Sequence, residues 1–273
     1  FYETGRIDAF KFEWKEGDEK QPHFYWDSDV AKWMEGAAYI MAKEHRPDLE
    51  EKVESLIDEI EKNQGEDGYF NIYHMLIEPE ARFKNRDNHE LYCLGHLVEA
   101  AIAYKHGTGK DKLLRLMLDY VDLVYRVFYV EKSAVFLTPG HEEIELALVK
   151  LYLETGDKRH LELAKYFIDA RGTDPERDLI EGERDITFQS HMPVRRQRDA
   201  VGHAVRACYL YSAVADVARL TEDEELYDTA KALFESITKR RMYVTGAIGQ
   251  NPCGEAFSGD YDLPNQTAYA ETC

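Results

Sequence analysis

One kind of turn recurs three times along the chain, and it constrains the fold more than any other feature. "GTGKDKLL" at Gly107, "ETGDKRHLELA" at Glu154 and "LTEDEELYDTA" at Leu220 each follow a charge-poor apolar segment and precede a charge-rich one. Their threonines, Thr108, Thr155 and Thr221, are 47 and 66 residues apart. The longer step contains a Gly-, Asp- and Glu-rich insertion around Gly172–Gln189. The segment "HELYCLGHLVEAAIAY" carries only Glu90 and Glu99 as formal charges, whereas "GKDKLLRLMLDYVDLVYR" carries seven. "GHAVRACYLYSAVADVA" carries two, and "EDEELYDTAKALFESITKRR" ten. Charge-poor helices are buried on most sides and charge-rich ones are amphipathic. The unit is therefore a hairpin of an inner and an outer helix.

Apolar spacing places the helices. Val30, Trp33, Met34, Ala37, Ala38 and Met41 mark the first, behind a capping-type Asp27-Ser28-Asp29. Pro47 breaks it, and Leu49, Val53, Leu56, Ile57 and Ile60 mark a second that Gly65 and Gly68 end. The third follows Leu91, Leu94, Leu97, Val98 and Ala101, and the fourth Leu113, Leu116, Met117, Tyr120 and Val124. The fifth to eighth are expected over about 142–154, 159–170, 199–220 and 224–240. Helical hairpins at this period indicate an open solenoid or a closed α/α toroid. Four hairpins fit before Arg241, and a fifth inner helix would start near Thr267. The repeat makes the expected fold all-α, solenoid or toroid, and a six-hairpin (α/α)6 barrel would be incomplete over residues 1–273. The chain is then expected to be cut at its C-terminus, with exposed inner-helix flanks and a tendency to self-associate; a homodimer is among the expected partners.

Composition narrows the function classes. A net charge of −19 with no large basic patch repels phosphate backbones, so a nucleic-acid partner is not expected. Arg195-Arg196-Gln-Arg198 reads as a solvated or paired face. No apolar run approaches the roughly 18 residues of a membrane span. Cys93, Cys208, Cys253 and Cys273 are too scattered for a disulfide framework, and Cys93 and Cys208 read as buried thiols. Together with the lack of a signal-like start, this gives a cytoplasmic expectation, although the chain opens on Phe1 rather than Met.

Chemistry concentrates at the starts of the inner helices and at the C-terminal end. His89, His141 and His203 each open an inner helix. In a toroid those helices run parallel, so the three rings and Glu255 are expected to line one cavity. A helix N-terminus disfavours imidazolium, leaving neutral rings able to hydrogen-bond hydroxyls. The alternative is that each histidine caps or packs. Glu271 and Cys273 offer a carboxylate and a thiol two residues apart, a pair that suits zinc; alone, it equally describes an ordinary glutamate and a buried cysteine. Cys253, beside Gly254-Glu255, reads as structural, and most of the 18 tyrosines as core.

The stretches "SDVAKWMEGAAY", "EDGYFNIY", "HELYCLGHLVEAA", "PGHEEIELALVKLY", "SHMPVRRQRDAVGHAVRA", "TGAIG" and above all "GEAFSGDYDLPNQTAYAETC" cover nearly the whole chain. In them the sequence resembles the glycoside hydrolases typified by β-L-arabinofuranosidase, long known as a domain of unknown function. The resemblance implies a six-hairpin α/α barrel followed by β-sandwich domains, and a carbohydrate substrate. It implies a retaining mechanism with a zinc-bound cysteine nucleophile that lies in an adjacent cysteine pair beyond Cys273. By motif, Glu255 matches the general acid/base, Glu271 and Cys273 two of four zinc ligands, and His89, His141 and His203 sugar-binding histidines. Competing readings are a non-catalytic helical-repeat binding module, and a zinc-dependent hydrolase, lyase or epimerase acting on another sugar.

Overall fold

The computed structural model describes residues 1–174 and 184–270. Every regular element among them is helical, with only two isolated antiparallel bridges, His203 to Ala256 and Asn251 to Ala256. The helices are α1 (Arg6–Ala9), α2 (Trp26–Met41), α3 (Pro47–Asn63), α4 (Ile72–Leu76), α5 (Glu90–Thr108), α6 (Lys112–Val124), α7 (Ile144–Thr155), α8 (Lys158–Ala170), α9 (Arg184–Thr187), α10 (Ala204–Thr221) and α11 (Glu224–Arg240). A π-helical segment, Tyr125–Val130, continues α6. The chain forms two compact units: Phe1–Val135 with Lys150–His160, and Phe136–Val149 with Leu161–Cys273.

In the first unit α2 packs on α5, α3 on α6, and each outer helix on its inner partner. Charge content predicts which is which. Nearly all of α5 is buried, from Glu90 to Tyr104, whereas α6 buries one face through Leu113, Leu114, Met117, Tyr120, Val121 and Val124. Each fully buried Leu or Met contributes about 1.5–3 kcal/mol. Gly107 lets the inner pair approach closely: a Cβ there would lie 2.6 Å from the Ala38 carbonyl oxygen on α2. In the second unit α10 packs on α11 in the same manner.

The repeated turns share one construction. Thr108, Thr155 and Thr221 are each the last residue of their helix, and each hydroxyl donates to the carbonyl four residues back, at 2.7, 2.8 and 2.7 Å. The next residue is left-handed in all three: Gly109 (φ 77), Gly156 (φ 73) and Glu222 (φ 53). A left-handed residue after the last turn ends a helix by satisfying its free carbonyls.

Four expectations are corrected. Asp27-Ser28-Asp29 does not cap α2; it lies inside the helix, which starts at Trp26, and Asp27 is fully buried. Its Oδ2 accepts from the Ile72 backbone N–H at 3.0 Å, so the carboxyl that looked like a local cap is a long-range one. Pro47 does not break α2, which ends at Met41; it is the first residue of α3, where its missing N–H costs nothing. The seventh helix starts at Ala204, five residues later than expected; residues 199–203 approach it as a loop held by other segments. Cys208 is half-buried rather than buried, while Cys93 is buried. Arg195 is paired, with Asp169, Asp223 and Glu225 at 2.9, 2.8 and 3.0 Å.

Candidate active site

The second unit brings His141, His203 and Glu255 together. His203 is the residue immediately before α10, in extended conformation, and its ring does not cap the helix. Instead the first turn of α10 is served from a distance: the Ala204 N–H donates to the Glu255 carbonyl at 2.9 Å. The Phe257 N–H donates to the Gly202 carbonyl at 2.9 Å, completing a short antiparallel contact around Ala256. Gly202 has φ 73, and a Cβ there would sit 1.9 Å from the Ile186 carbonyl oxygen, so no other residue fits this approach. Gln189, fully buried, donates to the Val201 carbonyl at 2.8 Å.

Glu255 ends a tight turn. Asn251 and Ala256 exchange both backbone bonds at 3.0 Å, and the Asn251 side chain accepts from the Cys253 N–H at 2.9 Å. Gly254 and Glu255 are both left-handed, with φ 77 and 52. For a glutamate this conformation costs on the order of 1–2 kcal/mol. It persists because the flanking backbone is pinned on both sides, and such outliers cluster at functional sites. The strained turn presents a carboxylate with 44% of its side chain exposed. Oε2 lies 2.8 Å from His203 Nε2, and Oε1 accepts from the Tyr269 hydroxyl at 2.9 Å.

His141 lies in the segment just before α7. Its ring centroid is 5.9 Å from that of His203 and 6.0 Å from that of Tyr209, tilted 62° to each. Its Nδ1 is 2.9 Å from the Glu142 carbonyl oxygen. A carbonyl only accepts, so Nδ1 carries the proton and a neutral ring presents Nε2 as an acceptor. Two arginines fix this segment. Arg206 Nη1 donates to the Gly140 carbonyl at 2.8 Å, and Arg171 Nη2 to the Pro139 carbonyl at 2.9 Å. Arg171 is wholly buried and pairs with Glu142 and Glu145, each at 3.0 Å. Burial pushes the Glu142 carboxyl up, while Arg171 and then Arg206 pull it down.

His89 belongs to the first unit. It is the left-handed residue (φ 55) before α5, with Nδ1 2.8 Å from the Asp87 carbonyl oxygen. Its ring sits among aromatics, with centroids 5.0 Å from Phe24, 6.1 Å from Tyr25 and 5.4 Å from Tyr92. Also in this unit, the buried pair His96 and Glu99 bring a ring nitrogen and a carboxylate oxygen to 3.5 Å, two donors of kinds that bind metals. Glu271 and Cys273 lie outside the described residues.

Three residues around this site escaped the sequence reading. Tyr269 was absorbed into the many tyrosines read as core. Arg171 falls between the sixth expected helix and the Gly-rich insertion and has no reading, and Arg206 is counted only as one of the two charges in the charge-poor "GHAVRACYLYSAVADVA". An arginine on a nearly all-buried helix was the available signal.

Comparison with known proteins locates this architecture. A model of the family described as "Beta-L-arabinofuranosidase, GH127 catalytic domain" matches residues 3–273. The chain belongs to the GH127 β-L-arabinofuranosidase family. It is 42% identical over 275 aligned residues to the non-reducing end β-L-arabinofuranosidase of Bifidobacterium longum subsp. longum, a match covering 94% of this chain and 42% of that protein. The crystal structure of a GH127 β-L-arabinofuranosidase from Geobacillus stearothermophilus T6 aligns with a TM-score of 0.92 at 42% identity, over 98% of this chain and 44% of the other. A second GH127 β-arabinofuranosidase structure aligns with a TM-score of 0.89 at 35% identity, over 99% and 43% of the two chains. The chain therefore spans less than half the length of these GH127 relatives. The all-α class read from the hairpin repeat, and the α/α barrel that the resemblance implied, are the fold class of the family.

Proposed function

We propose that this chain carries the acid/base side of a retaining glycosidase that removes β-L-arabinofuranosyl residues, with Glu255 as the proton donor and acceptor. The observation that carries the reading is the Glu255 carboxyl itself. It is half exposed, presented by a strained turn, and oriented at both oxygens by His203 and Tyr269. Family membership, and the names of the 42%-identical relatives, supply the substrate class.

Glu255 works in two directions. In the first half of the reaction its protonated carboxyl gives a proton to the departing glycosidic oxygen. In the second half the carboxylate takes a proton from the attacking water. At the 2.8 Å contact His203 Nε2 accepts from the protonated Oε2; that proton leaves with the glycosidic oxygen and is restored from the attacking water. His141 offers Nε2 to sugar hydroxyls, Tyr209 beside it offers an aromatic face, and His203 is proposed by its motif as a sugar contact next to the carboxyl it holds. His89, in the first unit, is proposed as a sugar-binding histidine on the strength of its motif and its aromatic surroundings.

A zinc ion is the cofactor this reading implies, and the donor set fits it: Glu271 and Cys273 are a hard and a soft ligand of the kinds that zinc accepts together. When bound, zinc holds cysteine ligands as thiolates at neutral pH, which is the state a sulfur nucleophile requires. The nucleophile is assigned to a cysteine outside this chain.

The decisive experiment compares Glu255→Gln with unsubstituted protein, expressed from its complete gene, on two β-L-arabinofuranosides. Glutamine cannot donate a proton. The rate on a substrate with a poor leaving group should fall by about 100-fold or more, within the range of general acid–base effects. The first step on a dinitrophenyl substrate should fall much less. Full activity of the variant on the poor-leaving-group substrate would refute the assignment.

A further inference from the structure

We infer that Tyr269 is a positioning residue for the Glu255 carboxyl: its hydroxyl fixes Oε1 as the accepting oxygen, so that the transferable proton resides on Oε2. This rests on Glu255 being the acid/base group. The two side chains are built from the same piece of backbone. The Tyr269 N–H donates to the Gln250 carbonyl and the Ala270 N–H to the Gly249 carbonyl, both at 3.1 Å. Gln250 is buried, and the next residue, Asn251, forms the bridge with Ala256 that closes the Glu255 turn. Tyr269 is thus tied to the base of the turn whose tip carries Glu255. Its hydroxyl reaches Oε1 at 2.9 Å.

The consequence follows from the asymmetry of a carboxylic acid. One oxygen bears the proton and the other can only accept. A phenol hydroxyl can donate or accept; here it donates to Oε1, and a carboxyl that accepts at one oxygen keeps its proton on the opposite one. That oxygen is Oε2, the one beside His203 Nε2. Without Tyr269 the half-exposed carboxyl could rotate and place its proton on either oxygen. The fraction of encounters with a correctly aimed proton would then fall, and misplacement of a reacting group by about an ångström can cost 100-fold in rate.

The test is Tyr269→Phe in protein expressed from its complete gene, assayed beside Glu255→Gln. Phenylalanine keeps the ring and removes only the hydroxyl. The expected result is a fall in kcat of roughly tenfold or more on a poor-leaving-group arabinofuranoside. KM should be little changed, and the first step on a dinitrophenyl arabinofuranoside should stay within about twofold, because that leaving group needs no aimed proton. Bound metal should be equal in variant and unsubstituted protein, which separates this role from an effect through Glu271, two residues away. Equal losses on both substrates, a loss of metal, or unchanged rates on both would each overturn the inference. If Glu255→Gln discriminates between the substrates and Tyr269→Phe does not, Tyr269 alone is misassigned. If Glu255→Gln is fully active, the acid/base reading fails and this inference with it.

Discussion

Arg171 is the largest fully buried side chain among the described residues, and it shows how one residue can set a site it does not enter. Its guanidinium spans two carboxylates, Glu142 and Glu145, and two carbonyls, those of Pro139 and Phe188. Pro139 and Glu142 flank His141, so the same fork that neutralises buried charge also holds the histidine's backbone. A buried pair contributes little to stability when whole and is costly when broken, because the surviving charge cannot return to water. Arg171→Met should therefore lower stability by about 3–5 kcal/mol, read as a fall in Tm. Adding Glu142→Gln to that variant should recover part of the loss, by removing one of the stranded carboxylates. A fall in Tm of the double variant equal to or larger than that of the single one would contradict this account.

At the scale of elements, the three threonine turns are one solution used three times, and the third differs in a way that can be measured. Gly109 and Gly156 take the left-handed position without a Cβ, while Glu222 takes it at φ 53 with a full side chain. The left-handed cost to a non-glycine residue is about 1–2 kcal/mol, offset in part by the larger unfolded-state entropy of glycine. Glu222 is exposed, so its side chain leaves no cavity when removed. Glu222→Gly should accordingly stabilise the protein by about 0.5–1 kcal/mol, raising Tm by roughly 1–4 °C at this chain length. An unchanged or lower Tm would mean that the turn between α10 and α11 is held by something other than its backbone conformation. The neighbouring Asp223 is a candidate for that, since its side chain caps α11 at the Leu226 N–H (3.1 Å) and pairs with Arg195.

At the scale of the whole molecule, buried ionisable groups tie stability to pH. In the first unit burial pushes Asp27 up to about 7, against the pull of the Ile72 N–H, and pushes Glu90 up to about 7, against the Tyr69 hydroxyl and the Phe83 N–H. Both folded values lie above the ordinary carboxylate range near 4. Between about pH 4 and 7 the folded chain therefore binds more protons than the unfolded one, and stability is lost as pH rises through that window. Burial lowers His74 and His96, which acts in the opposite sense: their contribution is gained as pH rises and is complete by about pH 6.5. Above that point only the carboxylate slope remains. Tm should thus fall between pH 6.5 and 8. Asp27→Asn keeps an oxygen for the Ile72 N–H and cannot ionise. It should raise Tm at pH 8, where it removes a penalty on the order of 4 kcal/mol, raise it by less than half as much at pH 5, and change little below about pH 3.5. Parallel pH–Tm curves for the two proteins would show that Asp27 does not titrate in this range.

The sequence by itself determined the period of the hairpins, which helix of each pair is buried, where the helices end, and which histidines stand at helix starts. Each of these is written locally. Apolar spacing decides which face of a helix leaves water, a left-handed residue after a threonine ends it, and both act within a few residues along the chain. The motifs also carried the family. Tertiary structure alone decided what Asp27 does, because its partner is the Ile72 backbone 45 residues away. It alone joined Glu255 to the start of α10 and to Tyr269, and aimed Arg171 at the segment around His141. Loop-to-loop hydrogen bonds have no period, and a buried charge is recognisable only by the partner that makes its burial tolerable. Such pairings come into being when the helices have already packed, which is why the scaffold and the candidate residues His141, His203 and Glu255 were legible in one dimension and the contacts among them only in three.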